Sequence, residues 1–275
     1  MASSRPVIMP HEPRNDSCDS SCQGIRDQQT GQRGDTYETT IVQLRVRVDD
    51  SDDLVPRETL LDFECDWTPG IGGSIWTSGE LLAAYLELQR ASYRSVFHGA
   101  CVVELGSGTG YVGLMVAACF RPAHVYLTDL HSHVHGLRRN VKRNAGAMRS
   151  DVQVHVSELS WGSSEQQTTL LETIASRTTG GTEHSGAAQV DVIVGTDVAY
   201  LQELYDPLLQ TINRLATSRT VILLGLNRDD TGVAFFQQLE RDGFEYYRIP
   251  DAKLPQEYWG RDFGLFDIRR RHDCV

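Results

Sequence analysis

Hydrophobic and polar positions switch between two periods along this chain. Thr39 to Val48 alternates, with Leu44, Val46 and Val48 on one side and Arg45 and Arg47 on the other, as in a half-buried strand. Asp49 to Asp53 is an acidic turn, and Thr59 to Phe63 reads as the return strand. Residues 1–38 are rich in Ser, Asp, Arg, Gln, Pro and Gly and poor in aliphatics. Such a segment buries too little surface to offset its ordering entropy, so a disordered tail is expected, followed by one domain over 39–275. Gly70 to Thr77 reads as a loop with Trp76 embedded in it. Thr77-Ser78-Gly79-Glu80 fits a capping box, and Leu81, Leu82, Tyr85 and Leu86 mark one face of a helix ending near Arg90.

From Cys101 onward, short apolar runs alternate with helical patterns. The predicted strands are Cys101–Leu105, Val125–Thr128, Val152–Val156, Val190–Gly195, Thr220–Leu226, Phe244–Arg248 and Leu265–Arg269. The predicted helices are Tyr111–Cys119, Val134–Asn144, Glu203–Leu215 and Val233–Arg241. Ser160 to Gln189 carries one helical piece near Leu170–Ile174, and Ser176–Gly186 reads as a flexible insertion. The alternation predicts an α/β fold: a doubly wound, mostly parallel seven-stranded sheet, an antiparallel pair at one edge and a small N-terminal β extension.

With 275 residues the chain has room for one large domain plus a tail. The net charge of −11 argues against a nucleic-acid partner and suits a basic or lysine-bearing protein. No apolar run reaches the roughly 18 residues of a membrane span, and the N-terminus lacks a signal-like apolar stretch. The six cysteines are scattered; Cys18 and Cys22 find no second ligand pair, so no metal site is expected. Reduced thiols in a cytoplasmic or nuclear protein, and a monomer, are the expectation.

The chemistry concentrates at strand ends. Gly106, Gly108 and Gly110 follow a buried strand and precede a helix, the arrangement of a ligand loop at the carboxyl edge of an open sheet. Gly108-x-Gly110-x-x-Gly113 matches the dinucleotide pattern. Glu104 favours another class, because a carboxylate there would sit beside a cationic ligand. Glu104-Leu105-Gly106-Ser107-Gly108-Thr109-Gly110 resembles the first motif of class I methyltransferases that use S-adenosyl-L-methionine. Asp129 ends the second strand, where an acidic residue hydrogen-bonds ribose hydroxyls. His131, His133 and His135 lack a completing ligand cluster and read as a solvated helix start. Trp161, in Glu158-Leu159-Ser160-Trp161-Gly162, can wall an adenine pocket or cover the sheet edge. Asp197-Val198-Ala199-Tyr200 ends the fourth strand and faces the same crevice; its carboxylate suits a basic acceptor such as a lysine amine.

Taken together, Trp76, the glycine loop, Asp129, the Trp161 segment and Asp197-x-x-Tyr200 resemble the seven-β-strand protein lysine methyltransferases of methyltransferase family 16. The likeness covers about residues 39–270, with similarity to members that modify chaperones, AAA ATPases and translation elongation factors. It implies a Rossmann-like class I methyltransferase fold and methyl transfer from S-adenosyl-L-methionine to a lysine Nε of a protein substrate, leaving S-adenosyl-L-homocysteine. It further implies cofactor contacts from Trp76, Glu104, Gly106, Ser107, Gly108, Asp129 and Trp161. Asp197 would orient the amine and Tyr200 would wall its channel. The rival readings are a class I methyltransferase acting on histidine, a protein N-terminus or a small molecule; a non-catalytic partner of chaperones or translation factors; and an NAD-dependent oxidoreductase.

Overall fold

The computed structural model describes residues 39–48, 57–178 and 189–271. The predicted tail, the acidic turn and most of the Ser176–Gly186 insertion lie outside them. A two-stranded antiparallel sheet pairs β1 (Thr40–Val48) with β2 (Arg57–Cys65). The main sheet contains β3 (Cys101–Leu105), β4 (His124–Asp129), β5 (Gln153–Glu158), β6 (Val192–Thr196), β7 (Val221–Asn227), β8 (Phe244–Arg248) and β9 (Phe263–Arg270). Its order is β5-β4-β3-β6-β7-β9-β8. β3 to β7 are parallel, and β9 inserts antiparallel between β7 and β8. The chain runs outward from β3 to β5 and then returns to the other side of β3 as β6. The switch point, where crevices open in such sheets, therefore lies between β3 and β6.

The helices are α1 (Thr77–Leu88), α2 (Arg90–Phe97), α3 (Tyr111–Phe120), α4 (His131–Asn144), α5 (Ser164–Thr178), α6 (Tyr205–Leu215) and α7 (Val233–Arg241). Every residue of β3 is buried, because helices cover both faces. Val102 packs with Leu82, Leu114 and Leu127 on one side, and Val103 and Leu105 pack with Ile193, Leu208 and Phe235 on the other.

Three expectations change. No side-chain cap closes α1; Trp76 holds the N-cap position and Thr77 is already helical. That helix stops at Leu88, and a separate α2 follows, because Gln89 leaves helical geometry at φ −98° and ψ 20°. The short helical piece near Leu170 is a 15-residue helix, α5. Its buried side is narrow, with Gln167, Leu170 and Ile174 inward and Ser and Thr around the rest.

Two asparagines join the β1–β2 hairpin to the main body. Glu64 N–H donates to Asn140 Oδ1 at 2.8 Å, and Asn140 Nδ2 donates to Glu64 O at 3.1 Å and Thr109 O at 2.9 Å. Asn144 repeats the exchange with Asp62, accepting from its N–H and donating to its carbonyl at 2.8 Å each. The amides replace a neighbouring strand at the β2 edge. Arg139 and Arg143 reinforce the junction through Glu64. Asn140→Ala leaves the buried Thr109 O and the part-buried Glu64 N–H and O without this partner, so it should destabilise the fold by roughly 1–3 kcal/mol; urea unfolding measures this, and an unchanged midpoint would contradict it.

Candidate active site

The glycine loop after β3 is shaped by its surroundings. Gly106 and Gly108 have φ of +62° and +55°, a region other residues enter at a cost. A Cβ on Gly106 would lie 3.1 Å from Val198 Cγ1 and 3.2 Å from Trp161 Cζ2. The segments after β5 and β6 thus converge on this one backbone position. A Cβ on Gly108 would lie 2.5 Å from Gly72 O, so the Gly70–Gly73 segment rests directly on the loop.

Asp129 stands where β4 ends, mostly buried. Its Oδ2 accepts the Gly108 N–H at 2.7 Å, and its Oδ1 accepts the Leu130 N–H at 2.7 Å. The carboxylate therefore ties the glycine loop to the start of α4. His133 Nδ1 lies 3.3 Å from Oδ1. The expectation of three solvated histidines holds for exposed His131 and His135 but fails for His133, which is only 9% exposed. The tertiary fold makes the difference, because Gly72 packs over the ring. Beside it, between the 66–73 segment and α4, lies a cavity of about 280 Å³ reached by Asp66, Thr109 and Arg139. Neither Trp76, Trp161, Asp197 nor Tyr200 lines it.

Two side chains, Glu104 near the end of β3 and Ser107 in the loop, turn inward rather than toward the crevice. Ser107 Oγ accepts the Thr128 N–H at 2.9 Å and donates to Glu104 O at 3.3 Å. Glu104 was expected beside the ligand. Its side chain is instead sealed under the loop, 3% exposed, with Oε2 unpartnered and close against Gly113. Burial pushes its carboxyl up to about 8, against hydrogen bonds from Ser107 and the Gly113 backbone that pull it down.

Across the switch point, Asp197 adopts φ +51°, a left-handed conformation that Asp tolerates better than most residues. Its N–H donates to Gly225 O at 2.8 Å. Its carboxylate accepts the hydroxyl of Ser78, which is wholly buried in α1. Burial raises the Asp197 carboxyl; the bonds from Ser78 and from the Asn227 backbone oppose that, and Asp230 adds to it. Asp197 does not cap α6, which starts at Tyr205. Tyr200 is half-buried, its hydroxyl raised first by burial and then by Asp129 and Glu203. Trp76 is 43% exposed, its Nε1–H donating to Ile71 O at 3.0 Å and its ring edge-on to Trp67.

Ser78 and His133 were not singled out by pattern. Ser78 looked like part of a cap; the signal for His133 was its helical spacing of four, seven and eleven residues from Leu137, Asn140 and Asn144, all of them buried. No group of His, Cys, Asp and Glu among the described residues could hold a metal, and no described helix is long and apolar enough to cross a membrane.

The loop and its surroundings fit S-adenosylmethionine. Val198 and the Trp161 ring close to within 3.1–3.2 Å of where a Cβ on Gly106 would lie, so only glycine keeps this backbone in place, and Asp129 holds its carboxylate at the end of β4 against the loop.

Comparison with known proteins gives the same direction. The zebrafish (Danio rerio) protein N-lysine methyltransferase METTL21A is 33% identical over 160 residues, covering 58% of this chain and 62% of that protein. The Mus musculus protein of the same name is 32% identical over 178 residues, with 64% and 71% covered. The Saccharomyces cerevisiae protein-lysine N-methyltransferase EFM6 is 28% identical over 216 residues, with 74% and 82% covered. Against the first of these, the chain spans less than two thirds of the relative's length. Residues 56–242, more than half the chain, match the family described as lysine methyltransferase, and the chain belongs to that family.

Proposed function

We propose that this protein transfers methyl groups from S-adenosylmethionine to a lysine Nε of a protein substrate. The observation that carries the reading is the convergence at Gly106, where elements from both sides of the switch point meet. The glycine loop and Asp129 stand on one side, and Asp197 and Tyr200 on the other. Relatives described as protein-lysine methyltransferases supply the acceptor class.

S-adenosylmethionine, when bound, supplies an electrophilic methyl on a sulfonium. The chain's work is to position and to desolvate. Gly106 and Gly108 let the backbone approach the ligand closely, Asp129 accepts from ribose hydroxyls, and Trp76 and Trp161 pack its flanks. Ser107 and Glu104 act from beneath, holding the loop.

The acceptor amine must be neutral to attack, while a free lysine has a pKa of about 10.4. A carboxylate beside an ammonium favours the charged form, so Asp197 serves as an orienter rather than a strong base. Its fixed backbone and its bond to Ser78 hold one acceptor oxygen in place, and Tyr200 walls the approach.

Asp129→Ala should weaken S-adenosylhomocysteine binding by roughly 1.5–3 kcal/mol, about 10- to 150-fold, since ribose hydroxyls lose a charged acceptor. Calorimetry measures this; unchanged affinity in the folded variant would remove Asp129 from the site. The reading as a whole is tested by titrating the wild-type protein with S-adenosylhomocysteine and with NAD. Saturable binding of the first alone is expected, and binding of NAD alone would replace the reading with a dinucleotide enzyme.

A further inference from the structure

A serine near the start of a helix ordinarily caps that helix's own free N–H groups. Ser78 does not, since α1 has no side-chain cap. Its hydroxyl reaches out of the helix to Asp197 Oδ2, and the side chain has no exposed surface. The same stretch of α1 follows Trp76 directly and packs on β7, where a Cβ on Gly225 would lie 2.9 Å from Ser78 O. Gly225 in turn accepts the Asp197 N–H. Asp197, at a left-handed φ, is thus clamped through its backbone by β7 and through its side chain by α1.

We propose that Ser78 is a positioning residue for methyl transfer: its hydroxyl sets the orientation of the Asp197 carboxylate and links it to the helix that begins beside Trp76. This rests on the role given to Asp197 above. Without the hydroxyl, Asp197 keeps its backbone bond but its carboxylate swings, and the acceptor amine loses a fixed partner.

The groups acting on Asp197 define the pH signature. Ser78 from α1 and the Asn227 N–H from β7 favour the carboxylate, and Asp230 beyond β7 opposes it. Removing the hydroxyl therefore raises the carboxyl pKa. A rate that needs the carboxylate is lost as pH falls through that pKa, so the acid limb of the pH–rate profile must move to higher pH.

The test uses the full chain with methyl-labelled S-adenosylmethionine and the protein fraction of a cell extract as acceptor. Ser78→Ala should bind S-adenosylhomocysteine within about twofold of wild type, transfer label roughly tenfold more slowly at neutral pH, and show the shifted acid limb. Ser78→Cys, which keeps the shape with a somewhat larger atom and a weaker donor, should fall between. Wild-type rate and limb in Ser78→Ala would overturn the proposal. So would a slower rate with the limb unmoved, which is what mere loosening of α1 produces. Loss of S-adenosylhomocysteine binding would overturn it too, by moving Ser78 to the cofactor. If the Ala variant does not fold, the Cys variant decides by the same criteria. An inactive wild-type protein would instead mark failure of the lysine-transfer reading itself.

Discussion

Asp197→Asn should leave the protein folded and able to bind S-adenosylhomocysteine while lowering methyl transfer roughly 100-fold. The substitution suits the site in every respect but charge. Asn tolerates the left-handed backbone at φ +51°, and its carbonyl oxygen can still accept the Ser78 hydroxyl. What disappears is the negative end that attracts and aligns a basic amine, and an acceptor misaligned by about 1 Å forfeits most of a near-attack geometry. Cofactor affinity should move little, because Asp129 and the glycine loop lie on the other side of the switch point. Single-turnover transfer and calorimetry on one preparation separate the two effects. Full activity in the variant would end the role given to Asp197, and lost affinity would relocate it to the cofactor pocket.

Gly108→Ala should be the most damaging small change to the cofactor side. Alanine pays roughly 1–2 kcal/mol for a left-handed backbone, and its Cβ would meet Gly72 O at 2.5 Å. That atom is backbone, so the Gly70–Gly73 segment must move as a unit, at about another 1–3 kcal/mol. The same shift disturbs the Gly108 N–H bond to Asp129. A Tm lower by roughly 5–15 °C and a more than tenfold loss of S-adenosylhomocysteine affinity are expected. Gly146→Ala, where an added Cβ meets nothing within 4 Å, is the control and should be near neutral. Equal behaviour of the two variants would show that the close approach at Gly108 carries no weight.

The sheet was legible because parallel strands covered on both faces are mostly apolar, so β6 and β7 stand out as runs and β3 does too apart from Glu104. Strand ends carried the site for the same reason, since Asp129 closes the apolar β4 and Asp197 follows directly on β6. What stayed hidden depends on the third dimension. Glu104 reads as a ligand-facing acid but is turned under the loop toward Gly113. His133 differs from His131 and His135 in lying on the buried face of α4 with Leu137, Asn140 and Asn144, where Gly72 packs over it. Ser78 sits in a sequence that imitates a cap, and its true partner is 119 residues away. α5 hid because Ser and Thr dominate its outer faces, and α2 because a single non-helical Gln89 separates it from α1.

The central claim is that the methyl acceptor is a protein lysine. It is tested most directly by incubating the protein with methyl-labelled S-adenosylmethionine and a cell extract, then mapping the label by mass spectrometry beside an Asp197→Asn control. Methyl groups on the Nε of a defined lysine in a labelled protein are expected, with their near absence in the control. Label on a histidine, on an N-terminal amine or only in the small-molecule fraction would contradict it.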